Sequence, residues 1–147
     1  MRLRTGEAVK LALKALRNLE ECEIRDISFE QFGTKLSIHC RYLWEKQSAM
    51  KYVKLNFFVV EQFGMEHRLS QIMIENPDQI GSGLLEIGSA HLDEEFHPSP
   101  TLAGFLRLHF FFGNAGRGIE IVFRELEISH EARLPESAQT FCRHEIE

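Results

Sequence analysis

The chain has 147 residues, 44% hydrophobic and 27% charged, with 17 basic residues against 22 acidic ones and a formal net charge of -5. That is the length of one domain, and folding at this size buries about 68–70% of the surface the unfolded chain exposes. The balance excludes a disordered chain, no apolar run is long enough to span a bilayer, and Lys10 and Lys14 interrupt the segment Leu11-Ala12-Leu13 that would otherwise serve as a signal-peptide core.

Charge is distributed unevenly. Residues 1 to 19 carry Arg2, Arg4, Lys10, Lys14 and Arg17 against Glu7 alone, which is +4, and the remaining 12 basic and 21 acidic residues give the body -9. Within the basic stretch Val9, Ala12, Leu13 and Leu16 recur at helical spacing, with Ala8, Leu11, Ala15 and Leu19 widening the stripe. The spacing predicts an amphipathic helix over residues 6–19, capped by Thr5 and carrying Glu7 in its first turn. Its lysines and arginines read as a solvated face, Lys14 and Arg17 complementing the helix dipole, with an anion or nucleic-acid contact as the alternative.

From Glu21 the period changes to two. Residues 23–30 and 35–44 predict a hairpin around Gln31-Phe32-Gly33-Thr34, with Leu36, Ile38, Cys40, Tyr42 and Trp44 on one face and Lys35, Ser37, His39 and Arg41 on the other. A third strand follows over residues 51–60, with Val53, Leu55, Phe57 and Val59 as its apolar face. Residues 61–82 suit either a short helix through Met65, Leu69, Ile72 and Met73 or a strand around Ile72 and Ile74, and the strand is the preferred reading. A short strand is expected over residues 83–90 and a polar loop over residues 91–100. Residues 105–112 and 118–129 flank a second turn at Gly113-Asn114-Ala115-Gly116-Arg117. The apolar positions pass from odd (Ile119, Ile121, Phe123) to even (Leu126, Ile128), which predicts a bulge near Arg124-Glu125. Residues 135–147 lack periodicity and read as a poorly ordered tail.

Phe58, Val60, Phe105 and Phe111 oppose the main apolar face, so their strands require cover on both sides, from the helix, a second sheet or a second copy of the chain. Twelve Phe against one Trp and two Tyr give the core large rings without polar handles.

Chemistry-bearing residues are few and poorly spaced. His91, Asp93, Glu94, Glu95 and His97 combine metal-ligand types, but on an unscaffolded loop they read as a solvated segment, with Asp93, Glu94, Glu95 and His97 the best candidates for an acidic partner-binding patch. Cys40 lies on the apolar side of its strand and reads as a core thiol, while Cys142, flanked by Arg143 and His144, falls in the tail. An odd total of three cysteines without metal-site spacing fits a reducing, cytoplasmic setting. His39 and His109 sit opposite the apolar sides as half-exposed sheet positions, and would meet only if their strands paired. The glycines of Gly81-Ser82-Gly83 and of residues 113–118 lead into strands, not into a helix N-terminus, so neither cradles phosphate, and no Ser, His and Asp set has triad spacing. The acidic body also disfavours nucleic acid.

Cys22-Glu23-Ile24-Arg25-Asp26-Ile27 leading into a hairpin, then Val53-Lys54-Leu55-Asn56-Phe57, then the final segment from Gly118 to Ile128, resembles the strand pattern of small β-rich immunity-like proteins of bacterial toxin systems. Glu21-Cys22 stands where such proteins open the first strand with a His-Asp pair. The resemblance implies a non-enzymatic cytoplasmic protein that binds and blocks a partner protein.

The expectation is a single α+β domain over residues 1–147: an N-terminal helix on a twisted, mainly antiparallel sheet of about six strands, with a partial barrel or a sandwich as its curled forms. The expected function is a protein-binding module for a basic partner, without cofactor, metal, nucleic acid or membrane. The rival classes are a small enzyme or ligand carrier with a cavity reaching His39 or His109, and a homo-oligomer subunit that buries Phe58 and Phe111 between copies.

Overall fold

The computed structural model describes residues 1–42, 52–66, 86–93, 104–112 and 118–131. Its elements are β1 (Arg2–Leu3), α1 (Gly6–Ala15), β2 (Cys22–Glu30), β3 (Lys35–Tyr42), β4 (Tyr52–Phe58), β5 (Gln62–Glu66), β6 (Glu86–Leu92), β7 (Leu106–Phe112), β8 (Gly118–Phe123) and β9 (Glu125–Glu131). The secondary structure is mostly antiparallel sheet with one small helix, and the sheet has nine strands where about six were expected. The additional strands come from β1, from β5 and from the division of the last segment into β8 and β9. Among the described residues no helix is long and apolar enough to cross a membrane.

Thr5 caps α1 as expected, its hydroxyl accepting from the Ala8 amide at 3.1 Å. The helix is shorter than the apolar stripe. It ends at Ala15, and Arg17, Asn18 and Leu19 turn through φ values of 56°, 53° and 57°. Each left-handed residue costs about 1–2 kcal/mol, partly offset here because the turn drives Leu19 fully into the core beside Val9, Leu13 and Leu16. The sequence stripe therefore marks burial correctly while overstating the helix.

The sheet order is β1-β9-β4-β3-β2-β6-β7-β8-β5, every described pairing being antiparallel. In a flat sheet β8 and β9 would stand six strand spacings apart, roughly 29 Å, yet only Arg124 separates them in the chain. β4 and β5 are equally distant in the order and joined by three residues, Val59, Val60 and Glu61. Both facts require an open sheet that coils until its two halves face each other, with the chain turning two corners between them. The corners are laced together, since the Arg124 amide donates to the Phe58 carbonyl at 3.1 Å and the Glu61 amide to the Val122 carbonyl at 2.8 Å. The shift in apolar parity near Arg124 thus marks a change of pairing partners, from β5 and β7 to β1 and β4, where a bulge within one strand was expected.

Inside the coil lie the apolar faces read from the sequence. Leu36, Ile38, Cys40, Val53, Leu55, Phe57, Phe110, Ile121 and Phe123 are buried, and Phe57 meets Phe123 edge to face at 4.9 Å across the two halves. The helix joins this interior and does not cover the opposite face. There, Phe58 lies under the Arg2 guanidinium, 3.8 Å from the ring centroid, with the Lys35 ammonium 5.5 Å away. Arg2 and Arg4 also reach Glu125, at 3.4 and 3.5 Å, so part of the basic N-terminal charge is neutralised within the fold.

Candidate partner-binding surface

The β2–β3 hairpin closes with Glu30 opposite Lys35, whose charged groups pair at 3.2 Å. Gln31, Phe32 and Gly33 turn through φ values of 52°, 58° and 86°, and Thr34 secures the turn by donating from its hydroxyl to the Gln31 carbonyl at 2.7 Å. A left-handed turn points its middle side chain outward, and Phe32 is fully in water at 109% relative exposure. Phe29, 47% exposed, lies edge to face on Phe63 of β5 at 5.2 Å. The Val60 amide donates to the Thr34 carbonyl at 2.8 Å, tying the β4–β5 corner to the hairpin. At that corner Val59 is exposed with φ 55°, a conformation that branched side chains seldom adopt. Phe29, Phe32, Val59 and Met65 therefore form an exposed apolar rim along the hairpin tip, the corner and the terminal strand β5.

β5 also forms part of a groove of about 480 Å³ lined by Gly64, Met65, Glu66, His109, Phe111 and Glu120 among others, so Met65 belongs to both rim and groove. The Phe111 ring, half exposed, stacks on His109 at 5.8 Å and 12°, and His109 Nδ1 lies 4.0 Å from a Glu120 oxygen. His91 stands directly opposite His109 on β6. Among the described residues no three His, Cys, Asp or Glu side chains converge to hold a metal.

The candidates read from the sequence fall elsewhere. Asp93 follows β6 and accepts from the Arg107 guanidinium, with the Nε contact at 3.0 Å, while its amide donates to the Arg107 carbonyl at 2.9 Å. Glu94, Glu95 and His97 lie outside the described residues, as do Trp44, residues 67–85, the turn at 113–117 and the tail with Cys142. His39 and His109 do not meet, because β2 and β6 intervene between β3 and β7. His39 is also buried where a half-exposed position was expected. Its Nδ1 lies 3.3 Å from a Glu131 oxygen, close enough for an ion pair but without hydrogen-bond alignment. That face of the sheet holds further buried polar groups: Ser37 of β3 donates to Asn56 Oδ1 of β4 at 2.7 Å, and Glu23 pairs with Arg25 on β2.

Cys22 and Cys40 are buried thiols outside any disulfide. Burial, and then the neighbouring Cys22, push the Cys40 thiol well above its ordinary value. Two results follow for a Cys142→Ser protein. Neither thiol should react with a disulfide reagent in the native state at neutral pH, and both should titrate after unfolding. Because Cys40 holds its proton more tightly when folded, its contribution is fully present below the unfolded-state thiol value of about 8.5 and declines as pH rises above it, by up to about 1.4 kcal/mol per pH unit. Denaturant titrations across alkaline pH, with Cys40→Ala as reference, check the slope.

Sequence reasoning missed the rim, although a signal was present. Phe32 is a large apolar residue inside a four-residue polar turn, where no periodicity calls for it. Gln62-Phe63-Gly64-Met65-Glu66 likewise alternates as a strand should.

No protein-family model and no curated protein matches this chain. Its fold is similar to the crystal structure of an uncharacterized protein from Neisseria gonorrhoeae, with a TM-score of 0.50 and 12% sequence identity, covering 75% of this chain and 91% of that one. Identity that low bears on the fold alone.

Proposed function

We propose that this protein is a non-enzymatic binding module that holds a basic protein partner against the rim formed by the β2–β3 hairpin tip, the β4–β5 corner and β5. The observation that carries the reading is Phe32, a fully exposed ring on a left-handed backbone. Neither feature helps the fold: the ring buries nothing, and the conformation costs about 1–2 kcal/mol. Aromatic side chains of this kind are the usual anchors of protein interfaces, and strain retained at the surface fits a residue kept for contact. The net charge of -9 on residues 20–147 would steer a basic partner toward the body. Among the described residues the cavity that touches His109 is an open groove, which weighs against a ligand carrier. An immunity-like inhibitor that blocks its partner is the form of this activity that the strand pattern implies.

Phe32→Gly tests the reading in both directions. The variant should be as stable as the parent or about 1 kcal/mol more stable, since glycine takes the backbone without strain. It should also lose the partner captured by the parent from its host, by a factor of about 30 or more in affinity. A variant that binds the same basic partner with undiminished affinity would refute the rim.

A further inference from the structure

The first four residues sit on the rest of the chain as a ligand would. Arg2 and Leu3 form the two-residue strand β1 at one end of the sheet, facing Glu127 and Leu126 of β9. Their side chains part to opposite faces, as alternation along a strand requires. Leu3 packs against the core, while the Arg2 guanidinium lies outside, 3.8 Å from the Phe58 ring centroid and 3.4 Å from one oxygen of Glu125. Arg4 reaches the other oxygen of Glu125 at 3.5 Å. The two halves of this contact are unequally anchored. The Glu125 side chain is 16% exposed and fixed by the β4–β9 ladder, whereas Arg2 and Arg4 are 50% and 71% exposed and belong to a strand with two paired residues. Ion pairs between exposed arginines and a carboxylate hold little in water, so the segment is displaceable. We propose that residues 1–4 are a placeholder on the β9 edge, and that a basic segment of the partner with the same basic–apolar–basic alternation takes their place. The incoming strand would pair with β9, seat one cation over Phe58 and against Glu125, and turn its apolar residue to the position of Leu3. The site is continuous with the rim, because Lys35, 5.5 Å from the same Phe58 ring, closes the β2–β3 hairpin by its pair with Glu30. The inference rests on the reading of the protein as a binder of a basic partner, and adds the pattern of the bound segment and the internal contact that competes with it.

The dye-labelled pentapeptides Met-Arg-Leu-Arg-Thr and Met-Leu-Arg-Arg-Thr have one composition and one charge and differ only in alternation. Titrated by fluorescence anisotropy, the whole chain carrying Arg2→Ala and Arg4→Ala should bind the alternating peptide at least about tenfold more tightly than the parent does, because its own segment competes less. The same variant should bind the rearranged peptide at least about fivefold less tightly than the alternating one, since only alternation puts both arginines on one face. Adding Glu125→Gln should remove that preference. Arg4→Ala alone keeps the Arg2 contact with Phe58 and should show a smaller gain, about threefold, which provides a second, milder variant for the same comparison. Equal affinity of the parent and both variants for the alternating peptide, or equal affinity of the double variant for the two peptides, would overturn the proposal. It fails separately from the rim: loss of the partner on Phe32→Gly with no gain in peptide binding rejects the placeholder and keeps the rim, and the reverse pattern keeps the placeholder and rejects the rim.

Discussion

Gly118→Ala should destabilise the protein by more than about 3 kcal/mol, a large fraction of the 5–15 kcal/mol that holds a domain of this size together. Gly118 opens β8 at φ 137°, where its Cα faces Phe111 of β7. A methyl group there would lie 1.7 Å from the Phe110 carbonyl oxygen and 2.8 Å from its carbon, both backbone atoms of the paired strand, which no rotamer change can move. Either the β7–β8 ladder opens or the residue leaves a conformation that only glycine adopts easily. Gly64→Ala is the matched control, placed on the adjacent strand with open space around the added carbon, and should shift stability by no more than about 1 kcal/mol, in the stabilising direction. Denaturant unfolding of the three proteins gives the comparison, and a Gly118→Ala protein as stable as its parent would show that β8 does not enter the sheet at this register.

Phe57→Ala is the second large effect, at about 3–5 kcal/mol. The ring is fully buried on β4 and meets Phe123 of β8 edge to face, so its loss leaves a cavity between the halves of the coil and does not merely thin one face. Phe123→Ala should lose a similar amount. The double variant should lose less than the two together by about 1 kcal/mol, because the ring pair can be removed only once. Strict additivity would mean that the rings do not touch, and the two halves would then not face each other as the chain corners require.

Strand positions were legible wherever one face is buried. The two-residue beat in β3, β4, β7 and β8 follows from side chains alternating across a pleat, and the described residues of each marked face lie in or against the interior except Val59, which follows β4 and is exposed because the chain turns the corner there at φ 55°. The hairpin turn was legible for the same local reason, since Gly33 lies between two periodic segments. Strand order was not legible, because pairing joins residues distant in the chain: β9 inserts beside β4 and β1, whereas β8, one residue earlier, lies beside β7 and β5. A shift of apolar parity at Arg124 reports that the chain re-aims its side chains, and says nothing about the neighbours it acquires. The helix was overextended because Leu16 and Leu19 continue its stripe, although Leu16 caps the helix and Leu19 reaches the core through a left-handed turn. Of the expected acidic patch, Asp93 is tied to Arg107 within the fold, which weakens its claim to a partner. The rim was overlooked because loop residues carry no period, so Phe32 could be recognised only by its incongruity.

These features form one physical picture. Coiling the sheet encloses most of the described apolar side chains; Met1, Leu11 and Phe111 stay exposed elsewhere, and Phe29, Phe32, Val59 and Met65 stay exposed where the hairpin tip, the corner and β5 meet. That junction depends on the Phe29 and Phe63 rings touching across the mouth of the coil, just as the coil depends on Phe57 and Phe123 touching inside it. A nuclear Overhauser spectrum of the native protein with labelled phenylalanine rings tests both contacts at once. Cross-peaks between Phe29 and Phe63 and between Phe57 and Phe123 are the predicted result. A spectrum in which Phe123 sees only its β7 and β8 neighbours, and Phe29 only its own hairpin, would contradict the coil and the binding surface built on it.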